Sequence, residues 1–349
     1  MNLDKRLLAL IAPVRRLLIL STALSFLAGI LLILQAFALS HTINRAFLED
    51  ASLADVRTWL LALLGIVAAR AVTLGLADIT AQRFTGRIKT GLREHFFAHI
   101  VALGPAYTRG ERTGELAATA LSGVEGLDDY FRQYLPQLAL SLLLPFSILL
   151  FVFPTDLLSG VVMLLTAPLI PFFMILIGIV TGVRAKKQFS ALTRLSAHFL
   201  DVLQGLTTLK LFGRSREQSR TIADVSDRFR AATMDVLRIA FLSALALELI
   251  STISVAIIAV EIGLRLLYGH ISFEHAFFVL ILAPEFYLPL RMLGTRFHAG
   301  MDGIAAAQRI FAVLETPAPI AAAPDATRPV PAGDFTITFE DVHFAYDDG

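Results

Sequence analysis

Residues 17–39, LLILSTALSFLAGILLILQAFAL, form an apolar run that holds no charged side chain. A helix of roughly 20 such residues crosses the hydrocarbon core of a bilayer. The run is too long for a strand, and it lacks the polar face of an amphipathic surface helix. It also exceeds the core of a cleavable signal peptide, and no small-residue cleavage site accompanies it. Five further segments meet or approach the same length: 59–77, interrupted by Arg70; 135–153; 157–183; 239–267, which contains Glu248 and Glu261; and 273–293. The third and fourth are joined by Phe153-Pro-Thr-Asp156, whose proline and aspartate suit a tight turn between antiparallel helices. The pattern predicts an all-α polytopic membrane protein with six transmembrane helices.

Composition agrees. Hydrophobic residues make up 56% of the 349, charged residues only 17%, and the mean hydropathy is +0.70. Such a chain is too apolar for an ordinary soluble protein. The net charge of +1 reflects charges segregated along the sequence, and no nucleic-acid partner is expected. With no cysteine, neither a disulfide nor a thiolate metal site can be built from this chain. No histidine pair has the context of a zinc site.

The segregation of Lys and Arg gives an orientation. Segment 1–16 carries Lys5, Arg6, Arg15 and Arg16; 78–132 and 184–238 are rich in both; the intervening loops hold only Arg45 and Arg57. By the positive-inside rule the amino terminus and both long loops are cytoplasmic, in the inner membrane of the cell. The long loops do not read as loops. Phe84, Ile88, Leu92, Phe96 and Ile100 recur at helical spacing, as apolar residues also do over 185–230, so the membrane helices are expected to continue outward as legs that turn and return. The turning points fall at Gly104-Pro105 with 108–115 in the first leg, and at 203–213 in the second, with short transverse helices at the tips.

Beyond the sixth span the composition changes. Residues 316–332 contain Pro317, Pro319, Pro324, Pro329 and Pro331, a linker composition, after a membrane domain of 1–315. Residues 333–349 include Phe335-Thr-Ile-Thr-Phe-Glu-Asp-Val-His-Phe-Ala-Tyr346, whose alternation predicts the first β-strand of a truncated soluble domain.

Together these features resemble an ABC exporter of the type I class (type IV fold). The resemblance is carried by the six spans, by Gly114-Glu115-Leu116 in the first leg and Leu206-Thr-Thr-Leu-Lys-Leu-Phe-Gly213 in the second, and by Phe339 to Tyr346 after the linker. More narrowly, Asp129 to Gln137, Val236 to Ala244, Val260 to Tyr268, and Ala283-Pro-Glu-Phe-Tyr-Leu-Pro-Leu-Arg291 followed by Gly294 to Ala299 are similar to the CydD-type half of the exporter that supports cytochrome bd assembly. The resemblance implies a heterodimer with a CydC-type half-transporter, nucleotide-binding domains that use ATP with magnesium, and a cargo of thiol reductants (cysteine or glutathione) or heme. It implies that Gly114, Glu115, Leu116, Leu209, Phe212 and Gly213 couple the membrane domain to the ATPase domain. Tyr346 is implied as the A-loop aromatic that stacks on adenine; without the resemblance it reads as a tyrosine in a turn after a strand. No G-x-x-x-x-G-K-[ST] loop occurs in the 349 residues, so this polypeptide alone is not expected to hydrolyse ATP.

Ionisable residues within apolar spans are costly and usually face a bundle interior or a watery path. Arg70, Glu248, Glu285, Arg291, Arg296 and His298 are therefore substrate-path candidates. Glu285 and Arg291 accompany Pro284 and Pro289, where a kink would expose backbone carbonyls. His298 reads as a ligand to heme iron, as a group that binds an anionic headgroup beside Arg296, or as an interfacial histidine. Glu261 and Arg265, four residues apart, are expected to pair structurally. Two other readings stay open: an exporter of another cargo (lipid, drug or peptide), and a non-transporting membrane scaffold.

Overall fold

The computed structural model describes residues 5–110 and 113–317, with Thr336, Thr338 and Asp341. The linker after residue 317, the expected strand and Tyr346 lie outside the described residues, apart from those three isolated positions. Ten α-helices follow in order: α1 Lys5–Ile11, α2 Arg15–Leu48, α3 Leu53–Gly110, α4 Thr113–Ala118, α5 Leu135–Thr155, α6 Leu157–Thr166, α7 Leu169–Gln204, α8 Leu206–Leu211, α9 Ser215–Leu267 and α10 Phe273–Leu314. Among the described residues there is no strand. Among the described residues six helical columns are long and apolar enough to cross a membrane, which makes this a multi-pass membrane protein.

α2 and α3 pack as one antiparallel pair and α7 and α9 as another. α10 is the common neighbour, in contact with α2, α5, α7 and α9. The outward faces of the columns remain apolar: Leu64, Phe146, Leu165 and Ile179 are all well exposed. In lipid such side chains gain nothing by turning inward, so association rests on close packing and on buried polar contacts.

The buried residues fall into two clusters. One, at the end that carries the amino terminus, gathers Leu7 of α1, Phe84 and Phe96 of α3, Tyr130 and Phe131, and Ile310 of α10. The other gathers Ile33, Val152, Met163, Ile258, Phe286 and Tyr287 in the apolar bundle. Between α4 and α5 the chain makes two π-helical turns, Thr119–Gly123 and Tyr130–Tyr134. The second turns both tyrosines against α10, where a side-chain carbon on Gly303 or Gly300 would lie 2.7 Å from Tyr130 or 2.8 Å from Tyr134.

Two spans depart from the uninterrupted helices that the sequence suggests. The fourth, read as continuous over 157–183, is broken at Ala167-Pro168 into α6 and α7, because proline has no N–H to donate to the preceding turn. α3 bends at Gly104 (φ 78°, ψ 178°) and resumes to Gly110, so the Gly-Pro pair interrupts the descent where expected while one more helical piece follows. α10 keeps its helix through both Pro284 and Pro289.

Candidate functional site

The residues singled out in the sequence fall in two regions, the tips of the legs and the polar contacts of the spans. At the first tip, α4 carries Gly114, Glu115 and Leu116. Leu116 is buried; the side chain of Glu115 lies outside the described residues. Above this tip the descending and returning segments are tied by ion pairs. Lys89 reaches Glu125 at 2.8 Å and Asp128 at 2.6 Å, Arg93 also pairs with Glu125, and Arg132 meets Asp78 at 3.0 Å. The bonds from Lys89 and then Arg93 hold the Glu125 carboxyl below its ordinary range. At the second tip, α8 lies between the long helices α7 and α9. Its end is a Schellman cap: the Gly213 N–H donates to the Lys210 carbonyl at 3.2 Å and the Arg214 N–H to that of Leu209 at 2.9 Å. The cap needs a left-handed residue, which Gly213 supplies with φ 71°. It leaves Leu209 half-buried, with Leu211 and Phe212 projecting into the open at 82% and 78% exposure.

Along the spans the predicted charges separate into three places. Arg291 Nη1 donates to Glu248 Oε2 at 2.5 Å, joining α10 to α9. Arg70 Nη1 donates to Gln35 Oε1 at 3.2 Å, joining α3 to α2. Arg296 Nη1 donates to Gln137 Oε1 at 2.6 Å, while the Gln137 amide nitrogen donates to the carbonyl of Pro289 at 2.8 Å. Gln137 is buried, and the Arg296 Nε is buried without a hydrogen-bond partner. Arg296 thus has a neutral amide where Arg291 has a carboxylate. Glu285 is half-buried. The side chain of His298 lies outside the described residues.

Arg265 Nη1 donates to Glu261 Oε1 at 2.6 Å, as the spacing predicts, and also to Asp156 Oδ1 at 2.7 Å. Asp156 in turn caps α6, accepting from the Ser159 N–H at 3.1 Å, and the Ser159 hydroxyl donates to Glu261 at 3.1 Å. One knot therefore joins the turn before α6 to the far end of α9. The sequence reading assigned the Asp156 turn but not its partner, because the two lie over one hundred residues apart.

Gln137 is the member of this group that sequence reasoning missed. A search for charged residues inside apolar spans passes over a neutral amide, although an amide that accepts from arginine is as effective a ligand for it as a backbone carbonyl. Thr166 and Tyr287, hydroxyl to hydroxyl at 2.6 Å, escaped notice for the same reason.

The Glu248–Arg291 contact is directly testable. Arg291→Glu should lower the yield of folded protein several-fold by placing two carboxylates together. Adding Glu248→Arg should restore at least half of it, read by fluorescence-detected size exclusion; a double variant no better than the single one would remove the pair from the account.

The family model of the ABC transporter transmembrane region matches residues 18–285. Among curated proteins the chain is similar to the glutathione/L-cysteine transport system ATP-binding/permease protein CydD of Haemophilus influenzae, 36% identical over 90% of this chain and 55% of the relative. The protein of the same name from Escherichia coli K12 is 35% identical over 87% and 53%. The corresponding CydC protein of Bacillus subtilis is 34% identical over 87% and 53%. The chain spans about half the length of the curated relatives it matches.

Proposed function

The chain belongs to the ABC transporter transmembrane family, and on that premise we propose that it forms the membrane half of an ATP-driven exporter of thiol reductants, cysteine or glutathione. The observation that carries the reading is the pair of helical legs ending in α4 and α8, with Leu211 and Phe212 bare at the second tip. Large exposed apolar side chains on a polar tip fit a partner surface, here a nucleotide-binding domain. The relatives named for glutathione and L-cysteine transport support the cargo. A relative from Mycobacterium bovis named for fatty acid transport is only 25% identical, which favours the thiol cargo over a lipid one.

In this reading the basic legs and the amino terminus are cytoplasmic, in the inner membrane, and a second half-transporter of the CydC type completes the export path. The nucleotide-binding domains use ATP with magnesium, and Tyr346 stacks on adenine. Closure of those domains pushes on Gly114, Glu115 and Leu116 at one tip and on Leu209, Phe212 and Gly213 at the other, and the stiff helices transmit the displacement to the bundle. Among the path residues Arg296 and Arg70 are the ones suited to an anionic cargo group, because their partners Gln137 and Gln35 are neutral amides that leave each charge uncompensated. Glu248 and Arg291 neutralise each other, and Glu285 and His298 stay as path candidates. Heme is the competing cargo.

The full-length heterodimer in liposomes provides the test. Cysteine or glutathione should raise ATP turnover and accumulate inside inverted vesicles; stimulation by heme or a lipid, with neither thiol active, would reject the thiol cargo. Glu115→Ala and Phe212→Ala should each cut thiol transport at least 10-fold while ATP turnover persists. Transport that stays in proportion to turnover would argue against these tips as the coupling points.

A further inference from the structure

Between the legs formed by α7 and α9 lies a cleft of about 560 Å³. Lys187, Arg194 and His198 line one wall and Arg228 the other. On α7 these residues recur at i, i+7 and i+11, and therefore share one helical face. A second cavity of about 320 Å³ shares Lys187 and Asp235 with the first and adds Arg184, so the basic lining continues along about 21 Å of helix at 1.5 Å per residue.

Two of the cations in this cleft are not balanced from within. Its one acid, Asp235, is engaged by Arg238 at 3.7 Å. Asp227 on the same helix is taken by Arg230 at 3.0 Å. Lys187 and Arg228 have no acidic partner among the described residues. The Nε2 of His198 is buried without a hydrogen-bond partner, although an imidazole nitrogen is a willing donor or acceptor. Across the legs, Gln188 donates to Thr233 at 3.2 Å, which holds the walls at a fixed separation. Cations fixed on facing helices with apolar surface between them repel one another and concentrate a positive potential in the gap.

We propose that this cleft is a binding site for a water-soluble organic anion bearing two or more carboxylate or phosphate groups. Lys187 on one wall and the Arg228 fork on the other suit two separate acidic groups. The volume is that of a small-molecule site. Depth separates the His198 end of the cleft from a lipid headgroup. His198 lies about 22 Å along the helix from residue 183, the end of the fourth span, whereas the headgroup layer is only about 5–8 Å thick.

The site is tested in the full-length heterodimer in nanodiscs of zwitterionic lipid without ATP, with citrate and pyrophosphate as probes. Neither is a thiol, so the result is independent of which cargo the exporter carries. Calorimetric titration should find saturable binding that weakens at least 10-fold in Arg228→Gln and again in Arg228→Gln with Lys187→Gln, and that falls steeply with salt. Arg230→Gln, already paired outside the cleft, should bind as the parent does. Absence of saturable binding for both probes, or equal affinity in the parent and the double variant, overturns the site. Phosphatidylglycerol added to the discs should leave citrate affinity unchanged; competition by it would overturn the assignment to a soluble anion.

Discussion

Arg265→Met is expected to be the most damaging single substitution in the bundle, at a cost of about 3–5 kcal/mol, the range found when one member of a buried ion pair is removed. The methionine fills similar volume, so the loss is electrostatic. Asp156 is buried and Glu261 nearly so, and the guanidinium that bonds to both is the neighbour that offsets their charge. Thermal unfolding of the purified protein should show a fall of several degrees. Adding Asp156→Asn, which keeps the acceptor for the Ser159 N–H that caps α6, should recover part of it. A single variant as stable as the parent would mean that the carboxylates are adequately solvated without arginine.

Gly303→Leu should be comparably severe for a steric reason. The first added carbon already falls 2.7 Å from the Tyr130 Cβ, an atom fixed to backbone and unable to swing away. Tyr130 is itself fully buried, so α10 must move off the π-helical turn. Overpacking costs about 1–3 kcal/mol and occasionally more, and the remaining three carbons of leucine push toward the upper end. Gly263 on α9 is the contrast, since a side chain there meets nothing within 4 Å. Gly263→Ala should be neutral or stabilising by up to about 1 kcal/mol through helix propensity alone. The same melts check both; a Gly303→Leu protein that unfolds at the parent's temperature would show that the tyrosine turn yields freely.

The membrane class, the six columns and the long legs were legible in the sequence because each rests on a local signal, apolar length or helical periodicity. The tip at Leu206–Gly213 was legible for the same reason, since a Schellman cap is written within a few residues. What escaped depends on packing between distant segments. Nothing near Asp156 announces Arg265, nothing near Arg296 announces Gln137, and nothing near Tyr130 announces Gly303. The π-helical turns that present the tyrosines have no composition of their own, and the break at Ala167-Pro168 was hidden inside a hydropathy run that continues across it. The path candidates are half-legible in this sense. Their charge marks them, but only the fold distinguishes neutralised Glu248 and Arg291 from Arg296, which faces an uncharged amide.

The knot of Asp156, Glu261 and Arg265 also sets the geometry of any swing. It clamps the far end of α9 to the turn before α6, while the other end of that helix, at Ser215, is some fifty residues away along one unbroken rod. With the clamp as fulcrum the rod is about 75 Å long, so a tilt of about 5° carries its free end through roughly 6 Å. A movement at the fulcrum too small to loosen these hydrogen bonds is thus enough to displace the far tip, beside the exposed Phe212, by about the length of a side chain.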